Sequence, residues 1–185
     1  MINLSNPNQS EGFLYSVPNV FSEDELSALD QYIKDKNTLD AGTLGGHGNE
    51  VRKSNIMWIE HNKLTSVVYS RLADMIKFVN DDHYHWNLTF LETLQYAEYP
   101  VGGHYKLHTD ARLHGESYTN RKLSFSILIN DDFEGGDLDI PGEYKIDLKP
   151  NCAILFPSSM PHCVTPIKEG VRKSLVGWVH GPNFV

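Results

Sequence analysis

The sequence has few cysteines, no clusters of basic residues and no long hydrophobic runs. Only Cys152 and Cys163 occur among its 185 residues, which is too few for a disulfide framework, so we expect free thiols. No run of about eighteen apolar residues suggests a membrane span, and no membrane association is expected. The N-terminal residues lack the basic and apolar regions of a secretory signal, so the cytoplasm is the expected compartment.

Basic residues are outnumbered by acidic ones. Asp and Glu total 24 against 16 Lys and Arg, which gives a formal net charge of -8. Binding to a phosphate backbone requires clustered Lys and Arg, and short pieces such as Arg121–Lys122 and Arg172–Lys173 are too small to supply it. We therefore expect no nucleic-acid partner. The sequence does not predict an oligomeric state.

The first part of the chain carries two helical patterns. Ser22 and Glu25 are spaced as a capping box, which predicts a helix over about 23–36. A broad apolar stripe predicts a second helix over Leu64–Val79. Between them, the glycine-rich segment Asn37–Glu50 predicts a long loop, of the kind that often acts as a lid.

Short alternating or apolar runs dominate the chain after Trp86, and Gly and Pro clusters separate them. With one earlier run, the predicted strands are Val51–Glu60, Leu88–Tyr99, His104–Asp110, Lys122–Ile129, Leu138–Ile140, Tyr144–Leu148, Ala153–Phe156, His162–Ile167 and Arg172–His180. Such spacing is typical of a sandwich or jelly roll. We predict one domain over 1–185, mainly β with flanking α, with helical N-terminal support over about 1–85 and a jelly-roll core over about 86–182.

His108, Asp110 and His162 are the candidate metal ligands. Residues two apart on a strand project to the same side, so His108 and Asp110 can reach one ion, and the fold must bring His162 to them from a distant strand. Two imidazoles and one carboxylate suit iron(II) and leave one face of the ion open. A His-x-Asp triplet alone is weak evidence in a chain with nine histidines. Structural or surface roles are predicted for His104, His114 and His180.

Arg172 follows His162 by ten residues and shares a strand face with Ser174. An Arg can bind a carboxylate through paired hydrogen bonds, and a Ser hydroxyl can add a further contact. The alternative is a surface Arg in a basic patch with Lys173. With the three metal ligands, this pair predicts a site for an acidic cosubstrate beside the metal.

These residues resemble the iron(II)- and 2-oxoglutarate-dependent oxygenases, and within them the prolyl 4-hydroxylase-like branch. The motifs that carry the resemblance follow in the family's order: Tyr99–Asp110, Phe133–Leu138, Phe156–Pro157, His162–Pro166 and Gly170–Ser174. The resemblance covers about Leu88 to Pro182, roughly half of the chain. It implies a double-stranded β-helix (jelly roll) core braced by the N-terminal helices.

The resemblance also implies roles for individual residues. His108, Asp110 and His162 are the implied iron ligands and catalytic residues, and Arg172 is the implied partner of the distal carboxylate of 2-oxoglutarate. Further cosubstrate contacts are implied for Tyr99, Ser174 and Trp178.

Core packing is the alternative for Tyr99 and Trp178. Arg52 lies in a segment similar to a strand that borders the substrate cleft of cellular prolyl hydroxylases, so it can meet a substrate carbonyl; a solvent-facing Arg is the alternative. Ser124 is a candidate for the hydroxyl that completes the cosubstrate pocket.

The implied activity is hydroxylation of an unactivated C–H bond, with release of succinate and CO2. The substrate that the resemblance favours is a prolyl residue in a peptide or protein. The activity requires iron(II), 2-oxoglutarate and O2, with ascorbate as a supporting reductant. Asp110 disfavours halogenation, because related halogenases have a small residue there. The alternatives are a hydroxylase of a free amino acid or small metabolite, a divalent-metal hydrolase, and a non-catalytic jelly-roll binding module.

Overall fold

The computed structural model describes residues 13–34, 36, 39–40, 48–111, 120–142, 146 and 148–182. The helices among them are α1 (Glu23–Lys34), α2 (Gly48–Val51) and α3 (Ser66–Val79), and α3 continues into a π-helical turn, Asn80–Tyr84. Within these ranges, no helix combines the length and the apolar character that crossing a membrane requires.

The strands of the described residues form three sheets. They are β1 (Tyr15–Val17), β2 (Leu39–Asp40), β3 (Arg52–Lys53), β4 (Asn55–Ile59), β5 (Phe90–Leu91), β6 (Leu94–Tyr99), β7 (His104–His108), β8 (Arg121–Leu128), β9 (Phe133–Gly135), β10 (Leu138–Asp139), β11 (Ala153–Pro157), β12 (His162–Val164), β13 (Ile167–Gly170) and β14 (Arg172–His180). The large sheet has the order β1-β11-β8-β14-β6-β4-β2, with β5 also paired to β14. A second sheet has the order β10-β12-β7-β3, and β9 pairs with β13. The predicted class, mainly β with flanking α, is confirmed.

The helices cover one face of the large sheet. Alternate residues of its strands, such as Tyr96 on β6 and Phe125 on β8, pack in one buried cluster with Leu29 of α1 and Leu72 of α3. Because successive strand residues point to opposite faces, the residues between them lie on the other face. We call this second face, which carries Tyr99, Ser124, Arg172, Ser174 and Trp178, the site face.

The predicted capping box starts α1. The backbone N–H of Glu25 donates to Ser22 Oγ at 3.3 Å, and the N–H of Ser22 donates to Glu25 Oε2 at 2.8 Å. The helix ends at Lys34, two residues before the predicted end. The second helix begins at Ser66 rather than Leu64, because the Thr65 hydroxyl donates to the Glu60 carbonyl at 2.6 Å and holds the preceding residues in a turn.

The prediction of one strand over Val51–Glu60 was wrong. The chain forms β3, which pairs with β7, and then β4, which pairs with β6 in the large sheet. Ser54 separates the two strands. The alternation of side chains continues through Ser54, so a periodicity of two residues gives no sign that the chain changes sheet there.

Strand β9 was not predicted. It pairs with β13, and its last residue, Gly135, has φ +80°. A Cβ there would lie 2.5 Å from the Pro166 carbonyl oxygen, so glycine permits the close approach of the two strands. Of the predicted loop Asn37–Glu50 only 39–40 and 48–50 are described, and the lid prediction lies outside the described residues, as does most of the predicted strand over 144–148. The domain division stays a prediction.

Candidate active site

Strands β7 and β12 bring the three candidate metal ligands together. His108 ends β7, His162 begins β12, and the two are directly opposed in the antiparallel pair. Asp110 follows β7 with its Oδ1 3.7 Å from His108 Nε2 and its Oδ2 3.5 Å from His162 Nε2. One ligand atom from each residue lies within 4.8 Å of the other two.

Backbone carbonyls orient both imidazoles. His108 Nδ1 lies 2.8 Å from the Lys106 carbonyl oxygen, and His162 Nδ1 lies 3.0 Å from that of Met160. A carbonyl can only accept, so Nδ1 carries a proton in each ring, and Nε2 is the nitrogen that faces Asp110. Both rings thus have the tautomer that a metal ligand through Nε2 needs.

The environment keeps His108 neutral at physiological pH. Burial and the neighbouring His162, and to a smaller extent Arg52, lower the pKa of His108 to about 4, against the raising effects of the Lys106 carbonyl and Asp110. A neutral imidazole is the form that binds a metal ion.

Two serines fix Asp110. Ser124 Oγ on β8 donates to Asp110 Oδ2 at 2.7 Å and lies 2.9 Å from Ser158 Oγ. The backbone N–H of Asp110 donates to the Ser158 carbonyl at 2.9 Å. Ser124, considered in the sequence as a cosubstrate contact, therefore holds the carboxylate of the triad.

Arg172 is buried on the site face with an exposed fraction of 2%. Its Nη1 donates to Ser174 Oγ at 3.0 Å, and its guanidinium carbon lies 5.7 Å from the centre of the Tyr99 ring, directly across the strand pair. Burial lowers the pKa of Arg172, against the raising effects of Tyr99 and Asp137, and an Arg stays charged regardless. Among the described residues no carboxylate forms an ion pair with it.

Tyr99 and Trp178 are also buried, with exposed fractions of 3% and 6%. Tyr99 packs with Phe156 and Ala97 in the cluster of the site face, next to Arg172. Trp178 lies opposite Ser124 on the neighbouring strand, at the metal end of the site face. Tyr99 thus lies beside Arg172, and Trp178 lies beside Ser124, which holds Asp110 of the triad.

Arg52 is buried rather than solvent-facing, so the surface alternative for this residue was wrong. Its Nε donates to Ser54 Oγ and its Nη2 to Gln95 Oε1, both at 2.8 Å. Its guanidinium carbon lies 4.7 Å from the centre of the Tyr105 ring, which stacks on His108. Arg52 therefore belongs to the surroundings of the metal triad.

Sequence reasoning missed a group of charged residues beside Trp178. Glu92 binds Arg121 through two hydrogen bonds of 2.6 Å and also contacts His180, which was predicted to be structural or at the surface. No sequence signal joins these residues, because 29 positions separate Glu92 from Arg121 and 88 separate it from His180.

The residues present fit an iron(II) and 2-oxoglutarate site. The triad offers two imidazole nitrogens and one carboxylate oxygen, a mixed set that suits iron(II). The buried guanidinium of Arg172, which forms no ion pair with a carboxylate of the described residues, offers two-pronged binding of a carboxylate. Trp178 adds a buried indole N–H that has no acceptor among the described residues.

The known proteins that are similar to this chain include oxygenases and hydroxylases. Residues 94–180 match the family model of the 2OG-Fe(II) oxygenase superfamily. A PKHD-type hydroxylase of Crocosphaera subtropica is 27% identical over 180 residues, covering 90% of this chain and 78% of the relative. A PKHD-type hydroxylase of Gloeothece citriformis is 36% identical over 96 residues, covering 48% of this chain and 43% of the relative.

The chain shares its fold with solved structures of prolyl hydroxylases. A prolyl-4-hydroxylase of Pseudomonas putida has a TM-score of 0.72 at 21% identity, over 94% of this chain and 95% of that one. A viral collagen prolyl hydroxylase of Paramecium bursaria Chlorella virus-1 has a TM-score of 0.70 at 18% identity, over 93% and 98%. A Trichoplax adhaerens prolyl hydroxylase, solved with a hypoxia inducible factor peptide fragment, has a TM-score of 0.74 at 17% identity, over 92% and 84%.

Proposed function

Because the chain belongs to the 2OG-Fe(II) oxygenase superfamily, we propose that it hydroxylates a prolyl residue in a peptide or protein, with release of succinate and CO2. One observation carries the proposal. Arg172 is a buried cation that forms no ion pair with a carboxylate of the described residues. It lies on the same sheet face as Ser124, whose hydroxyl holds Asp110 of the triad. A buried charge is costly unless it is paired. An acidic cosubstrate supplies the partner.

The proposed roles follow from the contacts. His108, Asp110 and His162 hold the iron, and Ser124 keeps the Asp110 carboxylate turned toward the imidazoles. Arg172 binds the distal carboxylate of 2-oxoglutarate, with Ser174 holding the guanidinium in place. When bound, the iron with 2-oxoglutarate and O2 supplies the oxidising power to hydroxylate a C–H bond.

Aromatic residues limit water at the site. Tyr99, Phe156 and Trp178 are each at most 6% exposed, and Phe156 packs edge-on against His162 with ring centres 4.7 Å apart. A dry pocket strengthens the attraction between Arg172 and a carboxylate and protects reactive species from side reactions.

The prolyl substrate is supported by the relatives and by Arg52. The neighbouring solved structures are named as prolyl hydroxylases, one of them with a peptide. Arg52 uses two of its five donors on Ser54 and Gln95, and we assign the others to a substrate carbonyl. A free amino acid or small metabolite is the alternative substrate. The cytoplasmic location and the supporting role of ascorbate stay predictions.

A hydrolase that used the same three ligands with a bound water has no need for the buried Arg172. An anaerobic experiment separates the two activities: iron(II) is added, then 2-oxoglutarate, and the weak visible charge-transfer band of the chelate is recorded. We expect the band, and loss of 2-oxoglutarate when O2 is admitted. Absence of both would contradict the oxygenase activity.

Mass spectrometry of a proline-containing peptide library tests the substrate. We expect products heavier by one oxygen on proline-containing peptides, and none from the Asp110→Ala variant. A larger yield on free proline or another small acid would overturn the peptide preference.

A further inference from the structure

A cavity of about 720 Å³ lies between the end of β4 and the segment that leads from β5 into β6. The described residues that line it are Trp58, Glu60, Phe90, Leu91, Glu92 and Thr93. Because Met57 and Ile59 pack in the core under the helices, Trp58 between them lies on the site face. Its ring centre is 6.4 Å from that of Trp178. The cavity thus borders the candidate active site, and none of its lining residues is assigned to iron or 2-oxoglutarate.

Two aromatic side chains of the cavity remain exposed. Trp58 is 41% exposed and Phe90 is 56% exposed, although Phe90 stacks on the His180 ring with the ring centres 4.2 Å apart. Scattered exposed apolar residues are normal on a protein surface, but two aromatic residues that line one cavity form a surface that a ligand can cover. The face of an aromatic ring also attracts cations, and Trp does so best. The cavity therefore offers apolar and cation–π contacts to the same ligand.

Glu60 gives the cavity a negative charge. Its side chain is 70% exposed, and its Oε2 lies 3.7 Å from Lys36 Nζ. Such an exposed ion pair is weak, so the carboxylate can bind a second cation. The other acid of the cavity, Glu92, belongs to a network with Arg121 and His180 that compensates its charge. Glu60 is therefore the acid that a ligand of the cavity can pair with.

The two ends of the site face differ in charge. The guanidinium carbons of Arg172 and Arg52 lie 5.7 and 5.9 Å from the centre of the Tyr99 ring, and this end suits the carboxylates of 2-oxoglutarate. At the cavity, the Glu60 carboxylate and the faces of two aromatic rings repel an anion and attract a cation. Charge complementarity thus disfavours the cosubstrate in the cavity and favours a cationic side chain of the substrate.

We propose that this cavity is a substrate subsite for a lysine or arginine side chain that flanks the hydroxylated prolyl residue, and that Glu60, Trp58 and Phe90 determine this specificity. The cationic group packs on the aromatic rings, and Glu60 is its counter-ion. The net charge of -8 favours the approach of a basic peptide. The inference rests on the function proposed above and narrows its substrate class to basic proline-containing peptides.

Synthetic peptides test the preference. Each peptide contains one proline, and the peptides differ at a single flanking position that holds Arg, norleucine or Glu; this position is moved along the peptide from set to set. Mass spectrometry measures hydroxylation by the iron-loaded enzyme, and fluorescence anisotropy measures binding to the protein with 2-oxoglutarate and with Mn(II) in place of iron, where no turnover occurs. At one position we expect Arg to bind about three- to tenfold more tightly than norleucine, and Glu to bind least. Equal binding of Arg and norleucine at every position would overturn the proposal.

Reversing the charge of the cavity should reverse the preference. In Glu60→Lys we expect the Glu peptide to bind more tightly than the Arg peptide. Glu134→Lys is the matched control, because Glu134 on β9 is 63% exposed and also has a lysine partner, Lys168, at 3.8 Å. This control should keep the preference of the wild type. An equal change in both variants would reflect the overall charge of the protein and would overturn the role of the cavity.

Removing an aromatic ring should weaken the same contact. We expect Phe90→Ala to bind the Arg peptide about two- to fivefold more weakly. Phe78→Ala, which removes a similarly exposed Phe from α3, should bind it as the wild type does. The affinities for Mn(II) and 2-oxoglutarate should be unchanged in every variant, because the cavity residues bind neither.

The remaining outcomes separate this inference from the proposed function. Hydroxylation of all peptide sets to the same extent contradicts the subsite and leaves the prolyl hydroxylase activity intact. Absence of the chelate band together with absence of any modified peptide contradicts both. Sedimentation of the wild type and of Phe90→Ala tests a second copy of the chain as the occupant: a dimer that the substitution converts to a monomer would overturn the substrate subsite.

Discussion

Two buried arginines lie close to one tyrosine ring, and neither has a carboxylate partner among the described residues. The guanidinium carbons of Arg172 and Arg52 lie 5.7 and 5.9 Å from the centre of the Tyr99 ring. Two like charges in a poorly solvated region repel each other and lose hydration. The site is therefore electrostatically prepared for anionic and carbonyl groups, and each Arg can be tested separately.

Arg172→Ala should separate cosubstrate binding from metal binding. Removing a charge-assisted, two-pronged contact costs about 3 kcal/mol, which corresponds to roughly 100-fold weaker 2-oxoglutarate affinity. Mn(II) affinity should stay within about twofold, because Arg172 is not among the three ligands. Calorimetry measures both affinities: Mn(II), which replaces iron without turnover, is titrated into the metal-free protein, and 2-oxoglutarate is titrated into the Mn(II)-loaded protein.

The control for that experiment is Lys173→Ala, which removes the adjacent cation from the opposite face of β14 and should leave both affinities unchanged. Loss of Mn(II) binding in Arg172→Ala would show that the residue supports the triad instead.

Ser124→Ala should weaken metal binding without removing a metal ligand. The hydroxyl that holds Asp110 Oδ2 at 2.7 Å is lost, and loss of such supporting contacts typically costs 10–100-fold in metal affinity. Ser126→Ala is the control, since Ser126 is buried two residues further along the same face of β8. Equal Mn(II) affinities of the two variants would contradict the assigned role of Ser124.

At the scale of elements, the turn between β9 and β10 holds Arg172 in place. Gly136 has φ +66°, and a Cβ there would lie 2.2 Å from Ile167 Cδ1 and 3.0 Å from Arg172 Cδ. Only glycine adopts this conformation without strain and leaves room for the Arg172 side chain. The position of the Arg172 side chain thus depends on a turn 36 residues earlier in the chain.

Gly136→Ala should therefore destabilise the fold and weaken 2-oxoglutarate binding together. Gly142→Ala is a matched control, because Gly142 has φ +90° but no atom of the described residues lies within 4 Å of its Cβ position. Backbone strain alone should cost Gly142→Ala about 1–2 kcal/mol, while the contacts of Gly136→Ala add about 1–3 kcal/mol. Urea unfolding measures the stabilities. If the two variants bound 2-oxoglutarate equally, the turn would not position Arg172.

Sequence patterns predicted the positions of helices and strands better than they predicted which strands pair with each other. The capping box of α1 and the strands β7, β8, β11 and β14 were predicted nearly to the residue, because local hydrogen bonds and alternation are visible in sequence. The split at Ser54 and the strand β9 were not, because each depends on which distant strand the chain pairs with. Register and sheet membership are tertiary properties.

The site also contains residues that the sequence predicted and contacts that only the tertiary fold reveals. His108, Asp110, His162 and Arg172 were found because their spacing matches a known family, and the structure brings the three candidate ligands together. The burial of Arg52 and the contact of Arg121 with Trp178 arise from side chains far apart in sequence, and no local pattern predicts them.

At the scale of the whole molecule, the Glu92 network joins three distant parts of the chain. Burial by itself raises the pKa of Glu92, but the hydrogen bonds and charges of Arg121 and His180 bring it below its ordinary value. The folded protein therefore binds fewer protons at this group than the unfolded chain does. Its contribution to stability is complete above the unfolded carboxyl pKa of about 4.3 and disappears as the pH falls through the lower folded value.

Glu92→Gln should accordingly lower the free energy of unfolding by about 1–3 kcal/mol at pH 7, the range for charge-assisted hydrogen bonds. The difference from wild type should shrink as the pH falls from the unfolded carboxyl pKa of about 4.3 through the lower folded value, because the native carboxylate then protonates. Urea unfolding at pH 7, 5 and 3 measures it. Glu60→Gln, whose pair with Lys36 is exposed to solvent, should change stability by less than about 0.5 kcal/mol. A difference independent of pH would exclude the ionised network as its source.

The hydrogen bonds from the two imidazoles to backbone carbonyls affect how such a site can change through evolution. His108 and His162 each bond through Nδ1 to the carbonyl of the residue two positions before them, so the path of the main chain fixes where each Nδ1 points, while Tyr105 and Phe156 pack against the rings. Mutations in the surrounding pocket that spare Tyr105 and Phe156 can then accumulate without turning these rings away from the metal position. A fold built this way can acquire new substrates by drift in its pocket walls while the oxidising centre is inherited unchanged.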